Sequence, residues 1–188
     1  MKHLVVLAPM ALAACNSGPS VDVTNASVNE VSEQVAAAGG AQFLNAGRWE
    51  GTGGITEMTI EGLTPEQSAK MKEEMAKEEK KFVSCLTEEE AKKPAASFFA
   101  GDQGDCRYDR FTMRNGVIDG EMTCKSEEGI EHKSTIKGSF SSDSFSMAMT
   151  SKSAGKPGVP MSAYTMTLKM DAKHVGACKG DEDGSDEG

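Results

Sequence analysis

The sequence predicts a mainly β domain of the α+β kind: an antiparallel up-and-down meander that curls into an open barrel and carries two or three short helices. Three observations predict it. From Cys106 onward apolar residues recur at every second position, the period of a strand with one wet face. Short turn sequences (Asn115-Gly116, Ser141-Ser142-Asp143, Gly155-Lys156-Pro157-Gly158) separate consecutive alternating runs, so neighbours in sequence should be neighbours in the sheet. Four cysteines beyond the N-terminal segment offer two cross-links to a chain with only 5% aromatic residues, whose core must be modest.

The N-terminus reads as an export signal. Met1-Lys2-His3 is a short positive region and Leu4 to Ala11 an apolar one, too short for a transmembrane helix of about 20 residues. Leu12-Ala13-Ala14-Cys15 then matches the lipobox of bacterial lipoproteins, with small residues before a cysteine. The expectation is cleavage after residue 14 and lipid on Cys15. Asn16 follows that cysteine, where an Asp would favour retention in the inner membrane, so the outer membrane is favoured. Residues 15–45 read as a lipidated tether and a short helix. In that helix Val28, Val31 and Val35 share a face, and Ser27 and Glu30 stand at capping-box spacing.

A single disulfide-bonded domain is expected over residues 46–178. Its first strand runs from Trp49 to about Glu61, with the apolar register slipping at Gly53-Gly54. Thr64-Pro65-Glu66-Gln67 starts a helix reaching about Lys81. Thr87-Glu88-Glu89-Glu90 starts a shorter one that Pro94 stops. Later strands place Ser134, Ile136 and Phe140, then Phe145, Met147 and Met149, then Tyr164, Met166, Leu168 and Met170 on the inward face. Residues 179–188 form an acidic tail, read as disordered and solvated; it lacks the spacing of a calcium loop.

The hairpin register selects one of the three possible cysteine pairings. A three-residue loop Arg114-Asn115-Gly116, with Gly116 left-handed, puts Cys106 opposite Cys124. Cys85 is left for Cys178. Both bridges read as structural, since no Cys-x-x-Cys occurs.

Charge and motifs exclude more than they assign. The formal charge of −9, which becomes −10 once Lys2 is cleaved away, repels nucleic acid, and no basic patch with aromatics is present. Ser134-Thr135-Ile136-Lys137 spells the Ser-x-x-Lys of penicillin-binding enzymes, but in a strand the two side chains point to opposite faces. His132 falls on an apolar strand face, where a satisfied core histidine is the plain reading. The methionine pairs Met147/Met149 and Met166/Met170 carry thioethers able to bind Cu(I), yet core filling explains them better in a chain poor in aromatics. No cofactor and no metal are expected, and the chain is not expected to be an enzyme.

Gly47-Arg48-Trp49-Glu50, then Cys85-Leu86-Thr87, then the Cys106/Cys124 hairpin and a final Cys178, resemble domain-of-unknown-function family 3617, a set of small secreted or lipid-anchored proteins of Gram-negative bacteria. The resemblance implies a structural pattern and no activity. It covers roughly residues 46–178, with Ala46 where many relatives have Pro and a Lys/Glu-rich helix where they have a Met-Pro-rich stretch. The Gly47-x-Trp49 start is also similar to the opening of lipocalins, which allows a lipocalin-like closed barrel. Two functions follow as expectations. The first is a non-catalytic envelope module that binds a partner protein or cell-wall component. The second is a carrier holding a small apolar ligand in the barrel interior, with Trp49 as its ligand or core marker.

Overall fold

The computed structural model describes residues 20–38, 44–76, 80–92, 105–126 and 129–182. Eight strands form one antiparallel sheet: β1 (Val21–Ser27), β2 (Gly47–Ile60), β3 (Lys80–Leu86), β4 (Asp105–Arg114), β5 (Val117–Lys125), β6 (Glu131–Ser141), β7 (Ser144–Ala154) and β8 (Ala163–Gly176). Their spatial order is β1-β4-β5-β6-β7-β8-β2-β3. The meander is therefore β4 to β8, with β1 added at one side and the β2–β3 pair at the other. Three helices accompany it: α1 (Val28–Ala37), α2 (Pro65–Ala76) and α3 (Glu88–Lys92).

The sheet is open, and the lipocalin-like closure expected as an option does not occur: β1 and β3 are its two edges. Both edge strands are only seven residues long. β1 is also kinked at Asn25, whose φ of 51° takes it out of the ladder between Thr24 and Ala26. Short, kinked edges pair poorly with each other. Neither edge strand was expected. Residues 21–27 fell in the predicted tether, where the kink at Asn25 breaks the alternation. Lys80–Leu86 fell partly in the predicted α2, which ends at Ala76 in the structure.

Local chemistry explains the rest. Ser27 and Glu30 form the expected reciprocal cap of α1, with Glu30 N donating to Ser27 Oγ at 3.2 Å and Ser27 N to Glu30 Oε2 at 2.6 Å. Thr64 and Gln67 cap α2 in the same way. The β4–β5 turn differs from the expected three-residue loop. Arg114 pairs with Val117, and Asn115 and Gly116 both have positive φ, 53° and 75°, as a two-residue turn requires. A bulge between Tyr108 and Arg110 then restores the register, so Cys106 still meets Cys124. In β2 the slip comes at Thr56 rather than at Gly53-Gly54, and a second lies between Arg48 and Trp49.

The inward positions align in rows across the sheet. One row reads Val21–Met113–Ile118–Gly138–Met147–Met170–Gly53; lower rows include Tyr108–Met122–Ser134–Ser151–Met166–Met58 and Cys124–His132–Ser153–Tyr164–Ile60. The upper end of the sheet carries Gly47 and the turns 115–116 and 142–143; the lower end carries Ile60 and the loop 155–162. α1 starts at the lower end of β1 and packs on β1 and β4. There Val31 and Val35 join Tyr108, Phe111 and Met113 in the core, all fully buried.

Candidate functional site

Half of the inward face is core and half is not. Under α1 and toward Trp49, the side chains of Phe111, Met113, Ile118, Ile136 and Ala172 are buried, with Phe140, Phe145, Met147 and Met149 packed half-buried against the core. Toward the lower end of β8 and β2, Ile55, Met58, Ile60, Tyr164, Met166, Leu168 and Met170 lie on the same face but are only half-buried. None of these seven belongs to the core cluster, against which Met147 and Met149 still pack. The alternating pattern that makes a strand has thus supplied more apolar face than the described helices cover.

Beside this face a cleft of about 660 Å³ separates α2 from β2. It exists because β3 pairs only with Gly47–Gly53, leaving the rest of β2 bonded to β8 on one side alone. Ile55, Met58 and Met75 give the cleft an apolar wall; Lys72, Lys169 and Asp171 give it a charged mouth. A volume of this size falls in the range of small-ligand sites. Unbranched thioethers repack easily around different apolar shapes, so the arrangement suits binding.

A polar patch crosses the lower end. Ser134 and Ser151, both buried, share a hydrogen bond of 2.7 Å, and Tyr164 Oη lies 3.1 Å from His132 Nδ1. His132 thus meets a tyrosine, not a serine, and Ser134 meets a hydroxyl, not a base. Lys137 is exposed on the opposite face, as strand geometry requires. Nucleophilic chemistry needs a base in contact with the serine, so these contacts do not activate Ser134. Among the described residues no group of three or more His, Cys, Asp or Glu side chains is placed to hold a metal ion.

The upper end holds the Gly47-Arg48-Trp49-Glu50 segment. A Cβ on Gly47, whose φ is 127°, would lie 2.3 Å from the Gly176 carbonyl oxygen and 2.6 Å from His174 Nε2, so only glycine fits. Trp49 is 3% exposed; its Nε1 donates to the Asn45 carbonyl at 2.9 Å, and its ring packs on Phe145 and His174. It is a core residue, remote from the lower face. Arg48 donates to Glu50 at 2.9 Å, Asp181 at 2.6 Å and Glu182 at 2.9 Å. Backbone N–H groups of Lys179 and Gly180 also donate to Glu182. With the Lys179 amide foremost, these donors hold the Glu182 carboxyl down to about 2.

Sequence reasoning missed this clamp, because Lys179–Glu182 had been assigned to the disordered tail. A buried arginine in a glycine-led strand start was the available signal. Both disulfides form as expected, Cys106–Cys124 and Cys85–Cys178. Cys15 lies outside the described residues.

The order of these features along the chain, the glycine-led Trp strand and then the cysteines at 85, 106, 124 and 178, has a counterpart among known proteins. The family described as protein of unknown function DUF3617 matches residues 44–178. The chain belongs to that family. The DUF3617 region opens at Leu44, just before the buried Trp49, and ends at Cys178, the cysteine that closes onto β3. The Arg48 clamp to Asp181 and Glu182 therefore reaches beyond it. No curated protein and no solved structure matches the chain.

Proposed function

We propose that this DUF3617 protein is a non-catalytic binding module of the bacterial envelope, exported, cleaved before Cys15 and held by lipid on that cysteine. It faces the periplasm, from the outer membrane in preference to the inner, and binds an envelope protein. One observation carries the binding: seven apolar side chains on β2 and β8 share the core face yet lie outside the core. α1 packs on β1 and β4, and α2 borders β2, so an apolar partner segment can cover the remaining half. A carrier of a small apolar ligand is the second reading. It rests on the cleft between α2 and β2, since an open sheet has no barrel interior to hold cargo.

Native mass spectrometry of protein extracted from its own envelope separates the two readings. The module predicts an added protein mass that disappears in Met58→Glu and Met166→Glu variants, whose circular dichroism and disulfides stay native. An added mass of a few hundred daltons, sensitive to Met75→Glu, supports the carrier instead. An unmodified mass in every preparation defeats both.

A further inference from the structure

We infer that the upper rim of the sheet beside β1 faces the bilayer, with Asn115, Gly116 and Val117 against the lipid head groups. This rests on the lipid anchor at Cys15 proposed above. The argument is one of length and position. Ser20, the first described residue, leads into the upper end of β1, where Arg114 Nε lies 3.4 Å from its Oγ. Five residue steps separate it from Cys15, and at about 3.6 Å each they span no more than about 18 Å. The ten residues of β4 extend roughly 33 Å from that rim to the lower end. A tether this short therefore keeps the upper end of β1 within about 18 Å of the membrane, whereas the lower end is free to stand farther off.

The rim fits that neighbour. Three large apolar side chains are exposed among the described residues, and Val117 and Val175, 55% and 50% exposed, both stand on the upper rim. Charge then decides which corner touches. Glu88, Glu89, Glu90 and Asp181 stand at the corner near β3, with Asp143 at the β6–β7 turn, and an anionic surface repels them within about 8–10 Å. At the β1 corner Asp22 lies 3.6 Å from Arg114 and Asp119 is paired with Arg110, so each carboxylate is offset by an arginine. Val117 is therefore the contact, while Val175, beside the acidic corner, stands off. The methionine-lined lower face then opens toward the periplasm, where a partner can reach it.

Paramagnetic broadening tests the orientation on the native lipidated protein. Nanodiscs of phosphatidylethanolamine and phosphatidylglycerol, doped with a gadolinium-chelating head-group lipid, should broaden the Gly116 and Val117 amides severalfold more than those of Gly129 and Gly158. Asn25, low on β1, should resemble Gly129. Equal broadening at Asn25 and Gly116 would mean that the sheet lies on its β1 edge, and greatest broadening at Gly158 that it is inverted. Either result overturns the inference while leaving the anchor intact. Lipidated-cell material that fails to co-elute with nanodiscs, like a Cys15→Ser control, refutes the anchor and this orientation with it.

Discussion

At the residue scale, two side chains of the Gly47-Arg48-Trp49-Glu50 segment do different work. Trp49 is the only tryptophan and is buried against Phe145 and His174 with its indole N–H satisfied. Trp49→Ala should cost roughly 3–5 kcal/mol in denaturant unfolding, as truncated core aromatics do. Its native emission should be blue-shifted and should not respond to ligands in the cleft, whose lining on β2 starts at Thr52 and does not include Trp49. A near-neutral mutant would contradict its place in the core. Arg48 instead ties the chain's last described residues to its first long strand. Glu182 has a folded carboxyl pKa near 2, below its ordinary value of 4.5. Such a group binds its proton more readily when unfolded, so its contribution is complete above about pH 4.5 and fades as pH falls toward 2. Glu182→Gln should therefore lower the melting temperature at pH 7, and the gap from the parent protein should shrink between pH 5 and pH 2. A gap that is constant with pH would mean that shape, not charge, holds the tail.

At the scale of elements, legibility followed the strength of the local signal. The last four strands alternate cleanly, and Ser134, Ile136, Met147, Tyr164 and Met166 point where period two puts them, while β4 changes phase at its bulge. Ser27 and Glu30 announced α1 because a capping box is local chemistry. β1 and β3 were illegible for the opposite reason. Each is seven residues, one interrupted by a left-handed asparagine and the other preceded by a run of Lys and Glu that reads as helix. Their strand character comes from pairing with β4 and β2, which is tertiary information. The hairpin shows a subtler case. A two-residue turn plus a bulge at Asp109 and a three-residue loop with its bulge at Gly116 place the same cysteines opposite each other, so the bridge is right while the turn differs. The site was half legible: the Met and Leu positions were, but their lack of cover depends on where α1 and α2 lie.

At the scale of the whole molecule, one sheet is tied at two places by bridges of unequal span. Cys106–Cys124 closes 18 residues within a hairpin, and Cys85–Cys178 closes 93 and joins β3 to the segment after β8. Chain entropy assigns about 3 kcal/mol to the first and about 4–5 kcal/mol to the second. Unfolding of the Cys85→Ala/Cys178→Ala protein should therefore show the larger loss than that of Cys106→Ala/Cys124→Ala. The opposite order would show that the burial of Cys106 and Cys124 outweighs loop closure.

The pairing of β2 with β8 also sets a timetable. If the chain is exported as proposed, it emerges N-terminus first, and the strand that β2 needs is the last of the eight to cross. Until then β2 has only β3 beside it, and the first of the four bridging cysteines outside, Cys85, has no proper partner. Cys106 emerges 21 residues later, well before Cys178. An oxidant that joins cysteines as they appear would link Cys85 to Cys106 and trap the hairpin open. Correct maturation therefore requires either that the Cys106–Cys124 hairpin close faster than oxidation, or that thiol exchange on the scale of seconds to hours undo the early mistake. The first bridging thiol to arrive is the last to be satisfied.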